Sequence, residues 1–322
     1  MKENNLKDLF NYALEQGTKV RRGIIYSILN KLFDLAPPVL IGVAIDIVVE
    51  GSDSFIGNLG YADRRQQLII LAIVTFIIWG LESSFDYIAA VTWRNISQDI
   101  EHSLRTDTFN NVLGLDLAFF ENKSSGRLMA ILNDDVNQLE TFLDNGANRL
   151  VQTATTVLVI GSTFLYISPL VAVFAFIPIP IIIFGSLKFT SRIAERYSKI
   201  RNDIENLNAN LSNSITGILT VKSFNREKKE SERITTSSRE VKSANYHAIK
   251  LSAAFIPIIR IAILFGFTAT LLIGGFLALD GEIKVATYSV MLFITQRLLW
   301  PLTELGIIFD AYQKAMASFR RI

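Results

Sequence analysis

The sequence predicts an all-α polytopic membrane protein with six transmembrane helices and long cytoplasmic extensions. Three observations carry this expectation. Half of the 322 residues are hydrophobic, 22 of them Phe, and the mean hydropathy of +0.34 is high for a soluble domain. Apolar runs of bilayer length recur along the chain, and one of them, Leu150 to Leu187, holds no charge at all. Between these runs, polar stretches keep a helix-compatible pattern well past the length a membrane needs, and they hold nearly all the Lys and Arg outside the spans.

In chain order, Leu6, Leu9, Phe10, Ala13 and Leu14 share one side of a short amphipathic helix, followed by Lys19, Arg21 and Arg22. Residues 1–22 therefore read as an interfacial segment, or as an ordinary frayed terminus. Span one covers about residues 23–49 and carries Lys31, Asp34 and Asp46. Pro37 and Pro38 remove backbone donors and predict a kink there. Asp46, near the outer end, reads as a cap or a snorkelling group. The polar, Gly-rich linker 50–67 is a loop. Span two covers about residues 68–91 with Glu82 and Asp86, and no breaker stops its helix before Val112. After a turn around Gly114, helix resumes from about Gly126 to Asn148.

Spans three and four, about residues 148–167 and 170–188, form a tight hairpin. The uncharged run is roughly two crossings long, and Ser168-Pro169 sits near its middle. Pro178 and Pro180 predict a second kink, in span four. From Lys188 the chain turns basic yet stays helix-compatible to about Leu211, an arm of roughly 35 Å at helical rise. At its tip, residues 207–230, Ser212, Asn213, Ser214 and Gly217 disfavour helix, while Ile215, Ile218, Val221 and Phe224 recur every three residues. That pattern is a small helix across a hairpin tip. Its apolar stripe needs cover, either from another chain or domain on the same side or from its own hairpin. A return arm, about residues 226–250, leads to span five, about 251–279, with Arg260 and the small residues Gly266, Gly274 and Gly275. The turn Asp280 to Lys284 precedes span six, about residues 285–308, with Arg297, Pro301 and Glu304, and helix continues to Arg320, Arg321 and Ile322.

Orientation follows from the basic residues. The three short connections hold only Arg64, Arg65 and Lys284, so both termini and both long hairpins are expected in the cytoplasm. The sequons at Asn95, Asn122 and Asn210 fall on that side and read as chance matches. A net charge of +2 gives no footprint for nucleic acid. With no cysteine, disulfides, thiolate nucleophiles and cysteine metal sites are excluded. No G-x-x-x-x-G-K-[ST] loop occurs, so the chain cannot cradle ATP phosphates by that route. Neither H-E-x-x-H nor G-x-S-x-G occurs, and the two histidines, His102 and His247, lie far apart on predicted arms. No catalytic, cofactor or metal residue is expected in the chain.

The tip sequence SITGILTVKSFNREKKE resembles the second cytoplasmic coupling segment of the transmembrane domain of ATP-binding-cassette exporters, with Gly217, Val221, Lys222, Phe224 and Glu227 in matching places. Asn213 stands where that family usually has Glu. LGLDLAFFENKSSGRLMAILNDDVNQLETFL resembles the first coupling segment, through Phe119, Phe120, Gly126, Asp135 and Val136. The resemblance implies residues 23–322 are the transmembrane domain of a half-transporter with two coupling helices. It implies that Leu115, Phe119, Phe120, Glu121, Ser214, Gly217, Val221 and Phe224 meet a nucleotide-binding domain. ATP and Mg would sit on that domain, which lies beyond Ile322 or on a separate chain. A second transmembrane domain, identical or not, completes the pathway, with spans four and five crossing to the partner. The setting implied is a bacterial plasma (inner) membrane, and the lipid bilayer is itself a partner.

Asp34, Glu82, Asp86, Arg260, Arg297 and Glu304 fall within or near the ends of spans, where charges pair, face the bundle interior or line a wet cavity. They read either as a polar patch in a substrate pathway or as fixed ion pairs, such as Arg260 with Asp34 or Glu82; Lys31 and Asp34 can pair at i,i+3. Phe33, Phe76, Phe265, Phe293 and Phe309 read as lining of an apolar cavity or as helix packing. The rival class is an ion-gradient-driven carrier or channel, kept open by prolines in spans one, four and six. A third is a membrane domain serving only as scaffold.

Overall fold

The computed structural model describes residues 17–116, 119–120, 125–299 and 301–322, and among these there is helix and turn but no strand. The expected N-terminal helix at Leu6 to Leu14 and the site residue Glu121 lie outside the described residues.

Span one is two helices, Gly17–Asp34 and Ala36–Glu50, parted at Leu35. Pro37 and Pro38 have no N–H to offer the carbonyls of Phe33 and Asp34, while their fixed φ suits the first turn of the second helix. The break is the kink that the prolines predict. Residues 17–22 continue the helix of span one. At the far end Asp46 does cap: its Oδ2 accepts the Phe55 N–H at 2.6 Å. The loop is tied by buried Gln67, whose amide donates to the Gly51 and Tyr61 carbonyls and whose Oε1 accepts the Ser54 hydroxyl at 2.7 Å. Span two opens at Asp63, whose side chain accepts the Arg65 N–H, and runs unbroken as Arg64–Leu113. Its 50 residues make about 75 Å of helix, more than twice the ~30 Å of bilayer hydrocarbon. The excess is the predicted extension.

The hairpin of spans three and four turns at Ser168. Its extended backbone (φ −156°) ends Asn148–Ile167, and its hydroxyl caps Pro169–Phe176 through the Val171 N–H. Pro178 and Pro180 withhold donors from Phe174 and Phe176, and the helix breaks at Ile177 before continuing as Pro178–Thr216. Glu227–Leu279 carries span five and tolerates Pro257 inside it. Among the described residues, five helical runs are long and apolar enough to cross a membrane. The sixth expected crossing is divided into Val285–Leu299 and Leu305–Phe319 by a 3-10 turn, Pro301–Glu304.

Two compact units make up the chain, residues 1–180 with 263–322, and residues 181–262. The first is centred on Trp93, Ile96, Ile100 and Leu104 of span two, packed on Val136, Leu139 and Phe142 and on Ala315 and Met316 of the last helix. Two π turns, Ile131–Asp135 and Phe142–Ala147, interrupt the helix leading into span three. Each inserts a residue into the 3.6-residue register and re-aims the helix beyond it. Upper span one and span six approach closely at Gly42, where an added Cβ would stand 2.2 Å from Val290 Cγ2 and 3.2 Å from the Ala286 carbonyl. Valine is stiff about χ1 and the carbonyl is backbone. Gly42→Ala is therefore expected to cost about 1–3 kcal/mol by overpacking, read as a lower unfolding temperature in detergent; an unchanged melt would refute the close approach.

The second unit is a pair of antiparallel arms. Phe189 and Phe255 stack with centroids 4.7 Å apart, and further along the Asn210 amide reaches the Ser237 hydroxyl at 3.3 Å. Ile200 and Ala248 are buried between.

Candidate functional site

The tip of the second unit is built by a break in helix and a rigid restart. Pro178–Thr216 ends at Gly217, whose N–H still reaches the Asn213 carbonyl at 2.9 Å, and a short helix, Ile218–Ser223, follows it. A Cβ on Gly217 would meet that same carbonyl at 3.1 Å, so glycine suits the bend. Just beyond the C-cap of the short helix, Phe224, Asn225 adopts φ 49°, a left-handed conformation that Asn accepts more readily than most residues. Arg226 N–H then closes back onto the Val221 carbonyl at 3.0 Å. Lys222 pairs with Glu227 across the restart at 3.2 Å. The backbone N–H of Glu227 itself and then Lys222 hold the Glu227 carboxyl below its ordinary range.

Ser214 lies inside this tip rather than on its face. Its hydroxyl sits between the Asn210 carbonyl and the Glu230 carboxylate, and Arg233 reaches both that hydroxyl, at 3.4 Å, and the same Glu230 oxygen. The Ser214 hydroxyl, and then Arg233, depress the Glu230 carboxyl. Gly217 and Val221 are half-buried. Among the tip's exposed side chains, which include the polar Thr216, Thr220 and Lys222, four are large and apolar: Ile215 is 70% exposed, Leu219 79% and Phe224 72%, with Ile218 beside them. Leu219, four residues after Ile215, escaped the sequence reading because a strict three-residue period passes over the i+4 neighbour and selects Val221 instead.

In the first unit, Arg64–Leu113 ends at Gly114, whose N–H reaches the Asn110 and Asn111 carbonyls. Leu115 and Phe120 are exposed, Phe119 is half-buried, and the two Phe rings meet edge to face at 5.8 Å. Behind this end lies an ionic anchor absent from the sequence reading. Asp135, on the first π turn, takes a forked pair of bonds from Arg321, one of them Nε to Oδ2 at 2.8 Å, and accepts the Ser318 hydroxyl at 2.9 Å. The Arg321 guanidinium, chiefly, holds the Asp135 carboxyl below the usual carboxylate range against the opposing effect of burial. Asp135 is buried while Arg321 reaches it from the surface.

Three of the charges within or near the predicted spans, Asp34, Arg297 and Glu304, form ion pairs. Asp34 binds Lys31 at 2.6 Å, the i,i+3 partner anticipated, and Arg297 at 2.9 Å, one cation on each of its oxygens. Arg260 belongs to the second unit. Glu304 pairs with Arg149 at 2.6 Å. Glu82 contributes its backbone carbonyl to the Asn30 amide. Neutral polar groups fix spans one to three: Trp93 Nε1 donates to Ser27 Oγ, which reaches Asn148, and Gln152 donates to Asn30. Of the Phe set, Phe33 stacks on Phe85 at 5.6 Å, which is packing, whereas Phe76 and Phe265 are exposed and Phe293 lines a cavity. No cluster able to hold a metal ion is present among the described residues.

Proline-broken apolar helices continue into helical arms longer than a bilayer needs, and residues 22–302 match the family model described as the ABC transporter transmembrane region. The chain belongs to that family and is an integral membrane protein. It is 23% identical over 98% of its length to the Bacillus subtilis ABC transporter ATP-binding protein YwjA, and covers 53% of that relative. It is 21% identical over 98% of its length to the multidrug resistance-like ATP-binding protein MdlA of Buchnera aphidicola subsp. Schizaphis graminum, again covering 53%. A fatty acid ABC transporter ATP-binding/permease protein of Mycobacterium tuberculosis is 24% identical over 68% of the chain and is covered over 35% of its own length. The chain thus spans about half the length of the first of these curated relatives.

Proposed function

We propose that this chain is the transmembrane domain of an ATP-driven exporter, forming with a second copy or a partner domain a pathway that switches between inward- and outward-facing states. The observation that carries the reading is the tip in the second unit, a rigid turn that offers Ile215, Ile218, Leu219 and Phe224 to a partner. Apolar side chains held out on braced arms suit a docking knob, because the arm moves as one body when the knob is displaced. The partner is a nucleotide-binding domain, in the same polypeptide or on another, which binds ATP with Mg and supplies the force. Relatives whose names carry ATP-binding functions support that partnership. The substrates are hydrophobic or amphipathic, such as drugs, lipids or peptides. Multidrug and fatty acid transporters among the relatives support this class.

Each state needs its own substrate affinity, since a ligand that binds both equally shifts nothing. The proline-broken helices of spans one, four and six are the elements on which such a switch would bend. The deciding experiment is transport by the full-length assembly in proteoliposomes. Uptake of a hydrophobic dye is expected to need hydrolysable ATP and to ignore imposed proton or sodium gradients. Transport that continues without ATP and follows a gradient would establish the carrier instead. A disulfide or bifunctional cross-link from Leu219→Cys to the nucleotide-binding domain is expected as well, and would be missing for a scaffold or carrier.

A further inference from the structure

The prolines that break spans one and six, Pro37, Pro38 and Pro301, line one cavity of about 500 Å³ in the first unit, with Phe293 on its wall and Lys31 and Arg297 at its polar side. The size falls within the ~300–1,000 Å³ of sites that enclose small organic molecules. Its charge is unbalanced. Asp34 is shared between Lys31 and Arg297, and it is the one carboxylate either cation meets among the described residues. The neighbouring Glu304 is engaged by Arg149. The cluster thus holds two cations against one anion. Only one of the five guanidinium N–H donors and one of the three ammonium donors is needed for Asp34. A surplus positive charge at this depth is costly unless water or an anion compensates it.

We propose that this cavity binds an anionic amphiphile: a single carboxylate or phosphate head held between Lys31 and Arg297, with an apolar tail along Pro37, Pro38 and Phe293. The head competes with Asp34 for the same two cations. Binding therefore loosens the tie between the two proline-bent spans at the moment it completes the charge. The inference deepens the transporter reading by naming its substrate class, yet the binding step itself needs no ATP.

The test uses the full-length protein in dodecyl maltoside, with laurate, dodecyl phosphate, dodecyltrimethylammonium and inorganic phosphate as probes, read by native mass spectrometry and by displacement of a fluorescent fatty acid. Laurate and dodecyl phosphate are expected to bind about tenfold or more tightly than dodecyltrimethylammonium. Lys31→Gln and Arg297→Gln are each expected to weaken them by about tenfold, with Arg297→Lys retaining part of the affinity. Asp34→Asn removes the internal competitor and is expected to tighten binding severalfold, an increase that a misfolded variant would not give. Equal binding of the cationic amphiphile, or Asp34→Asn without tightening, overturns the proposal. So does displacement of laurate by an equal concentration of inorganic phosphate, which would mark a site for free anions. A protein that binds laurate in this way but transports along a proton gradient would defeat the ATP-driven reading and leave this inference standing.

Discussion

Leu219→Asp combined with Phe224→Asp is expected to abolish ATP-coupled transport, by more than about tenfold, while leaving the melting temperature of the protein within a degree or two of the parent. The two side chains are 79% and 72% exposed, so they contribute little to the stability of their own unit. Surface substitutions of this kind usually fall within about 0.5 kcal/mol. Once covered by a partner, the same positions become the centre of an apolar contact, where truncating an anchor costs about 2 kcal/mol or more and burying an unpaired carboxylate costs further. Transport and ATP hydrolysis measured side by side in proteoliposomes separate the cases. Hydrolysis that persists while transport stops is the signature of a severed mechanical link. Ser214→Ala is the matched control: it removes a bond inside the tip, to Glu230, and should act through stability rather than through docking. Normal transport by the double Asp variant would mean that the tip carries no force.

Proline and glycine placement makes the breaks of this fold legible in the sequence. Pro37 and Pro38 mark the break at Leu35, Ser168-Pro169 the hairpin turn, Pro178 and Pro180 the break at Ile177, and Gly217 the bend at the tip. These are local effects, set by a missing N–H or a missing Cβ within one turn of helix. Pro257 shows where the rule fails, since it sits inside Glu227–Leu279 without ending it. The π turns at Ile131–Asp135 and Phe142–Ala147 were illegible, because a single inserted residue leaves hydrophobic periodicity nearly unchanged while rotating everything beyond it.

Pairings across the fold were harder. Asp34 and Arg297 are 263 residues apart, and Asp135 and Arg321 are 186 apart, so neither partner leaves a mark in the other's local pattern. Asp34, Arg260 and Arg297 all fall within or near the ends of predicted spans, but that placement does not say which helices are neighbours. Contact between spans one and six, seen at Gly42 against Val290, is what gives Asp34 to Arg297. The basic SFRRI ending was visible, yet nothing local indicated that Arg321 turns inward to Asp135.

That inward turn sets the second large effect. Arg321→Gln is expected to destabilise the first unit by about 2 kcal/mol at neutral pH, the scale of hydrogen bonds to a charged group, because it leaves buried Asp135 with the Ser318 hydroxyl alone. The half-exposed guanidinium keeps the effect below that of a fully enclosed ion pair. Asp135→Asn should cost less, since it removes the charge that needs pairing along with the pair. The pH dependence fixes the mechanism. Arg321 holds the Asp135 carboxyl below its unfolded value of about 3.9, so the pair's contribution is complete above that value and is lost as pH falls through the folded one. Thermal unfolding of the full-length protein from pH 7 down to pH 3 should therefore show parent and Arg321→Gln converging only below about pH 4, with no change in their separation between pH 5 and 7. Equal melting of the two at pH 7 would show that the last helix is held by Ala315 and Met316 packing on Val136 and Leu139, and that the ion pair adds nothing.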